Sequence, residues 1–273
     1  KPFDCVGTFE EVNVALLLAN EHSHFLKKVR MTKSVITDIL RTFPAPMIPA
    51  QFAFLSMKAA LILGYGKEGK ITKAYLKKHY PKLKIGIADQ SKDKNYLAKQ
   101  ADYDIVIKTP GIPKEKVKIF YTTATNIFLA SLPRDAMAIG VTGSKGKSTT
   151  ASLIYAILKE TKKAAYLLGN IGQPMLSFNN LTKLLNGKTI FVLELSSYML
   201  DDIQTSPHIA VVTNLFPDHM NYHGSLEKYY DAKKNIIRYQ KKGDYFVFNP
   251  KPAELAPWVK ESIGTPVPYL PCR

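Results

Sequence analysis

Cysteine is nearly missing from this chain: only Cys5 and Cys272 occur in 273 residues, near opposite ends. That excludes a disulfide framework and makes a reducing cytoplasm the expected compartment. Acidic residues are outnumbered, 22 against 38 lysines and arginines, for a formal net charge of +16. Such an excess suits an anionic partner, and nucleotides, nucleic acid and a membrane surface all qualify. The lysines, however, are spread over the whole chain and are densest on the helix-like segments 67–84 and 92–99, as solvated faces are. No nucleic-acid-binding motif accompanies them, so nucleic acid is not an expected partner. No apolar run approaches the roughly twenty residues of a membrane span, and no charged-then-apolar leader opens the chain; a soluble protein is expected. The first residue is lysine rather than methionine, as in a fragment or a processed chain. What is plentiful is apolar: 46% of the residues are hydrophobic, ample for about two domains with real cores.

The most informative stretch is Thr142-Gly143-Ser144-Lys145-Gly146-Lys147-Ser148-Thr149, set between a strand-like run from Ala136 to Val141 and a helix-like run from Ala151 to Leu158. A glycine-rich turn between strand and helix aims backbone N–H groups at phosphate oxygens, with a lysine for the outer phosphates and a hydroxyl for magnesium. The spacing is the shorter Gly-x-x-Gly-Lys-Ser, because Val141 stands five residues before Gly146. This loop is expected to hold a nucleoside triphosphate; the plainer alternative is a solvated turn rich in lysine and serine.

A second pattern precedes it. Ala59 to Leu63 reads as a buried strand, Gly64-Tyr65-Gly66-Lys67-Glu68-Gly69 as a turn, and a lysine-rich helix follows to about His79. The next strand, Lys84 to Ala88, ends in Asp89, twenty residues after Gly69. This is the Rossmann fingerprint, with glycines for close phosphate approach and an acid for a ribose or base; alone it suggests NAD. A strand from Asp104 to Lys108 then runs into Thr109-Pro110-Gly111-Ile112-Pro113. Beyond the phosphate loop, strands are expected at 164–168, 189–193, 209–213 and 245–248, with a helix over 226–239. Strands alternating with helices predict an α/β protein made of two Rossmann-like, mostly parallel sheets covered on both faces. The expected divisions are a helical segment over 1–56, a nucleotide-binding unit over 57–133 and a phosphate-loop unit over 134–273.

Three further residues stand where chemistry is done. Glu194 is delivered to the rim by a buried strand, where a magnesium ligand is needed; a helix-capping acid is the other reading of that position. Asn214 to Met220 leaves the next strand the same way. His219 alone is most simply a surface histidine, and Lys233 alone an exposed helix lysine.

Their order changes this. Gly143 to Thr149, Gly169-Asn170-Ile171-Gly172, Leu193-Glu194-Leu195-Ser196-Ser197-Tyr198, Asp218-His219-Met220 within 214–220, and Tyr229-x-x-Ala232-Lys233 together resemble the ATP-dependent Mur ligases, most closely those that add D-glutamate. The resemblance covers about residues 57–250, and Gly64 to Gly69, Asp89 and Thr109-Pro110-Gly111 fit the family's uridine-nucleotide domain. It implies an ATP-driven amide ligase of peptidoglycan precursor synthesis, with UDP-N-acetylmuramoyl-L-alanine and D-glutamate as substrates and an acyl phosphate between them. By similarity Lys147, with Gly143, Ser144, Lys145, Gly146, Ser148 and Thr149, would hold the ATP phosphates. Ser148 and Glu194 would bind a first Mg2+, and His219 with a carbamylated Lys233 a second. Asn170 and Ser196 would lie at the muramoyl substrate, and Gly64, Gly66, Gly69, Asp89 and Thr109 would hold UDP in place of NAD.

The family also carries a third domain, for the incoming amino acid, to which no segment is matched here; a partner chain is one source that could supply it. Residues 1–56 resemble, more loosely, the end of the family's central domain, as in a circular permutant, with Asn13 as adenine ligand; an unrelated helical extension is the alternative. Two other readings stay open: a catalytically incomplete nucleotide-binding fragment, and a related ligase adding another amino acid.

Overall fold

The computed structural model describes residues 57–133, 135–178 and 189–269; Asn13 and the segment 1–56 lie outside them. Two parallel sheets account for every strand among the described residues. The first has four strands in the order β2-β1-β3-β4: β1 Ala59–Leu63, β2 Lys84–Ala88, β3 Ile105–Lys108 and β4 Tyr121–Thr123. The second has six, in the order β10-β9-β8-β5-β7-β6: β5 Met137–Thr142, β6 Ala165–Gly169, β7 Ile190–Glu194, β8 Ile209–Val212, β9 Tyr245–Phe248 and β10 Thr265–Pro268. The α/β class and the mostly parallel sheets read from the sequence are those observed.

The strands are short and apolar because both faces of each sheet are covered, and parallel strands buried twice read as continuous Val, Ile, Leu and Ala runs. One core cluster spans both sheets: Ala60, Ile62, Ile105 and Ile107 of the first, and Phe191, Leu193, Ala210, Val212 and Phe246 of the second. Three helices fill the space around it: α1 Lys67–His79 with Tyr75 and Leu76, α2 Ala124–Ala130 with Ile127 and Phe128, and the later helix Leu226–Arg238 with Ile236 and Ile237. The opposite face of the second sheet, Ile139, Val141, Val192 and Val211, packs on α3 Lys147–Glu160. Short helices α4 Ser197–Leu200 and α5 Met220–His223 follow β7 and β8. After them come the longer α6 Leu226–Arg238 and then α7 Ala256–Glu261.

Three elements escape a reading of the sequence: β4, α2 and β10. β4 and α2 lie in the stretch 121–130, whose Thr-Thr-Ala-Thr start carries no alternation; α2 is made instead by a cap, Thr123 accepting a hydrogen bond from the Asn126 amide. β10 contains Pro266 and Pro268, which ordinarily argue against a strand. It is tolerated because β10 is an edge that pairs only with β9, so one side needs no N–H.

The sheets are joined by a buried ion pair. Lys108 Nζ, at the end of β3, lies 2.6 Å from Asp202 Oδ2, with both side chains almost wholly shielded. Asp202 Oδ1 also accepts from Tyr121 at 2.9 Å, and Asn126 Nδ2 donates to the Asp202 carbonyl at 2.7 Å. Lys114 reaches the neighbouring Asp201 at 2.8 Å. Removing one member of such a pair leaves a charge buried without its partner. Asp202→Ala is therefore expected to cost about 3–5 kcal/mol in urea unfolding, and joint replacement by Lys108→Met and Asp202→Leu to recover most of it. Equal losses in the single and double variants would contradict this.

Candidate functional site

Register decides where the second sheet presents its loops. Val141 of β5 pairs with Glu194 of β7, Thr142 with Val212 of β8, and Gly169 of β6 with Glu194. The phosphate loop, Asn170, Glu194 and Asn214 therefore leave the sheet at one edge, the carboxyl edge, where ligands of such folds bind.

The loop itself is built on two special glycines. Gly143 has φ +145°, and a Cβ there would lie 2.0 Å from Thr213 Oγ1. Gly146, at φ +81°, is the N-cap of α3, and among the described residues a Cβ on it would meet nothing within 4 Å, so the space in front of it is open. Ser144 is buried, and its hydroxyl is used inward: it donates to the Phe216 carbonyl, accepts from the Phe216 amide, both at 2.8 Å, and lies 3.0 Å from the Tyr229 hydroxyl. The amides of Ser144 and Lys145 are also used, by the Asn214 carbonyl at 3.0 Å and Asn214 Oδ1 at 2.8 Å. Gly146 to Thr149 supply the N–H groups that open a helix and have no partner within it.

Two lysines converge on this loop. Lys147 Nζ donates to the carbonyls of Gly143 at 2.9 Å and Ser144 at 3.0 Å. Lys233 Nζ, carried by α6, donates to the same Gly143 carbonyl at 2.9 Å and lies 4.8 Å from the centre of the Tyr229 ring. Lys233 is 1% exposed, so the lone-residue reading of it as a surface lysine is set aside. Burial, reinforced by the Lys147 charge and opposed by Asp218, lowers its pKa to about 7.

Glu194 is fully buried. Its Oε1 accepts from Asn170 Nδ2 at 2.7 Å, while Oε2 has no hydrogen-bond partner among the described residues. A buried carboxylate oxygen left unpaired is costly and is the donor type that a hard cation takes. Ser148 is exposed at the start of α3. His219, at φ 57°, has Nδ1 3.4 Å from Asp218 Oδ1 and its ring 4.9 Å from that of Tyr198. Among the described residues no three His, Cys, Asp or Glu side chains form a metal cluster. Ser196 caps α4, accepting from the Met199 amide at 3.3 Å, and Ser197 lies 3.0 Å from His223 Nε2.

The first sheet gathers its predicted residues similarly, since Leu63 pairs with both Ala88 and Lys108. Gly64 (φ +91°) is forced by Thr109, whose Oγ1 would be 2.0 Å from a Cβ there and which donates to the Leu63 carbonyl at 3.0 Å. A Cβ on Gly69 would lie 2.3 Å from the Gly64 carbonyl oxygen, whereas in front of Gly66 there is open space. Asp89 is engaged by the turn: Oδ2 accepts from the Tyr65 amide and Oδ1 from the amide and hydroxyl of Ser91, which hold its carboxyl below the usual range. Lys92 and Lys73 stand 5.1 and 5.7 Å from the Tyr65 ring centre.

Sequence reasoning missed Thr213 altogether and did not foresee that Ser144, read as a phosphate residue, and Tyr229, quoted only in its motif, turn inward on each other. Only Tyr229, four residues before Lys233 and so one helical turn away on α6, carried a signal that could have found it.

Residues 141–267 match the profile of the Mur ligase middle domain. The chain is 40% identical over 160 residues to the UDP-N-acetylmuramoylalanine--D-glutamate ligase of Symbiobacterium thermophilum, covering 56% of this chain and 34% of that protein. It is 33% identical over 221 residues to the enzyme of the same name from Clostridium botulinum strain Hall, covering 72% and 47%. The chain thus spans between a third and a half of the length of these curated relatives. The crystal structure of UDP-N-acetylmuramate:L-alanyl-gamma-D-glutamyl-meso-diaminopimelate ligase from Neisseria meningitides shares the fold, at a TM-score of 0.50 and 18% identity, over 77% of this chain and 76% of that one. No helix among the described residues is long and apolar enough to cross a membrane.

The lowered pKa of Lys233 has a consequence for stability. Its folded value, about 7, lies below the roughly 10.4 of an unfolded lysine, so between these values the unfolded chain binds more protons and stability rises with pH. Below about 7 both states are protonated and the burial penalty is at its full size. In urea unfolding, the parent is expected to gain on Lys233→Met as pH rises from about 7 to about 10; a difference that does not change with pH would contradict the buried-lysine account.

Proposed function

We propose that this chain is the nucleotide-binding part of an ATP-dependent amide ligase that joins D-glutamate to UDP-N-acetylmuramoyl-L-alanine. On this reading the region after residue 134 holds ATP and Mg2+, and residues 57–133 hold the uridine nucleotide. The observation that carries it is the rim of the second sheet. There an open glycine cradle at Gly146, two lysines on one loop carbonyl, and a buried carboxylate oxygen without a partner lie at ends of neighbouring strands. Similarity to relatives named as D-glutamate ligases supports the choice of substrates.

The donor set fits magnesium, a hard cation that takes carboxylate and hydroxyl oxygens. Glu194 Oε2 and the Ser148 hydroxyl would hold it, and bound there it would neutralise phosphate charge. Asn170 orients Glu194 by holding the other carboxylate oxygen. Lys147, resting on loop carbonyls in the free chain, can exchange them for phosphate oxygens, as can the amides that open α3. The substrate carboxylate displaces ADP at the γ-phosphorus to give an acyl phosphate; the amine of D-glutamate then displaces phosphate from the acyl carbon. Lys233 is suited to carbamylation because its buried amine loses its proton near neutrality. Carbon dioxide adds to the uncharged Nζ, a proton leaves to water, and the lysine becomes a carboxylate that His219 could join in holding a second ion. The same rim without the chemistry, a two-domain platform that binds both nucleotides, is the second reading.

Phosphate release from ATP and Mg2+ with UDP-N-acetylmuramoyl-L-alanine, measured with and without D-glutamate, separates these readings. D-glutamate-dependent release with the amide product found by mass means a ligase; binding of both nucleotides without release means the platform, and absence of any ATP binding would refute both. Lys147→Ala is expected to abolish ATP binding in calorimetry and to leave uridine-nucleotide binding intact. Lys233→Ala is expected to lose activity that added bicarbonate does not restore.

A further inference from the structure

The phosphate loop is anchored at Gly143 and Ser144, but its outer part is an exposed arc: Lys145 is exposed and Gly146 faces open space. What fixes it is Asn214, the second residue beyond β8. Its side-chain amide lies along Lys145 as a neighbouring strand would, with Oδ1 accepting from the Lys145 amide at 2.8 Å and Nδ2 donating to the Lys145 carbonyl at 2.9 Å. Its own carbonyl accepts from the Ser144 amide at 3.0 Å. Thr213 adds a hydroxyl to the same Lys145 carbonyl at 2.7 Å and crowds Gly143 from below. The amides of Ser144 and Lys145 are thereby drawn back onto β8, and the loop donors that remain are those of Gly146 to Thr149.

We propose that Asn214 is a positioning residue for triphosphate binding, shaping the phosphate loop through a two-point bond to Lys145 without itself touching phosphate. The inference rests on the ATP reading above and adds a residue to it. The side-chain requirement is narrow. Aspartate would keep the acceptor for the Lys145 amide, lose the donor to its carbonyl and add a negative charge beside the triphosphate. Alanine would lose both bonds. Glutamine, one methylene longer, would displace the pair.

Two measurements on the whole chain test it. In the nucleotide-free protein, Asn214→Ala is expected to speed amide hydrogen exchange at Ser144 and Lys145 about tenfold. The melting temperature should stay within about 2 °C of the parent, since Asn214 is only half-buried at the rim. In titrations with ATP and Mg2+ the same variant is expected to bind about tenfold more weakly, and Asn214→Asp more weakly still. An ATP affinity in Asn214→Ala within about twofold of the parent's, or a loss of affinity matched by a general loss of melting temperature, would overturn the positioning role. A parent that binds no ATP would overturn the nucleotide reading and the role with it. The exchange data would then show separately whether the bond to Lys145 exists.

Discussion

Everything at the rim follows from one constraint, the parallel register of β5 between β7 and β8. Because Val141 faces Glu194 and Thr142 faces Val212, three loops of different origin emerge side by side at the same height. The chain must then turn off β5 within van der Waals reach of Thr213, which only a residue without a Cβ can do, and Gly143 is that residue. The positive φ of Gly146 next starts α3 with its N–H groups at the same edge. A backbone decision thus assembles the site before any side chain contributes.

The side chains then supply charge that the protein alone does not balance. Lys147 and Lys233 share the Gly143 carbonyl, and two ammonium groups on one neutral oxygen repel each other, which is part of why Lys233 holds its proton weakly. Glu194, across the rim, keeps one oxygen buried and unpaired. Buried groups left in this condition lower stability and gather where ligands bind. The buried pair Lys108–Asp202 is the contrasting case: there each charge has its counter-charge, and it serves to join the two sheets.

Much of this could be read from the residues. The glycine spacing around Lys147, the acid ending β7 and the alternation of strands and helices pointed to the α/β class and to loops gathered at the carboxyl edge, because period and turn chemistry are local properties. What could not be read is long-range. The Ser144 hydroxyl looks like a phosphate ligand in sequence, yet it bonds Phe216 and Tyr229, partners some 70 and 85 positions away. Asp89 fits a ribose acid by spacing, and its Oδ2 also accepts from the Tyr65 amide, 24 positions back in the chain. β10 was hidden by two prolines that only an edge position permits. Asn13 lies outside the described residues, and its reading as an adenine ligand stands as an expectation from the sequence.

The central claim is that the loop from Gly143 to Thr149 is the triphosphate site. Amide hydrogen exchange, with and without a non-hydrolysable ATP analogue and Mg2+, tests it most directly. The account predicts new protection at Gly146 to Thr149 and around Asn170, with the turn from Gly64 to Gly69 unchanged. Protection at Gly64 to Gly69 instead, or at neither loop while the analogue is bound, would contradict it.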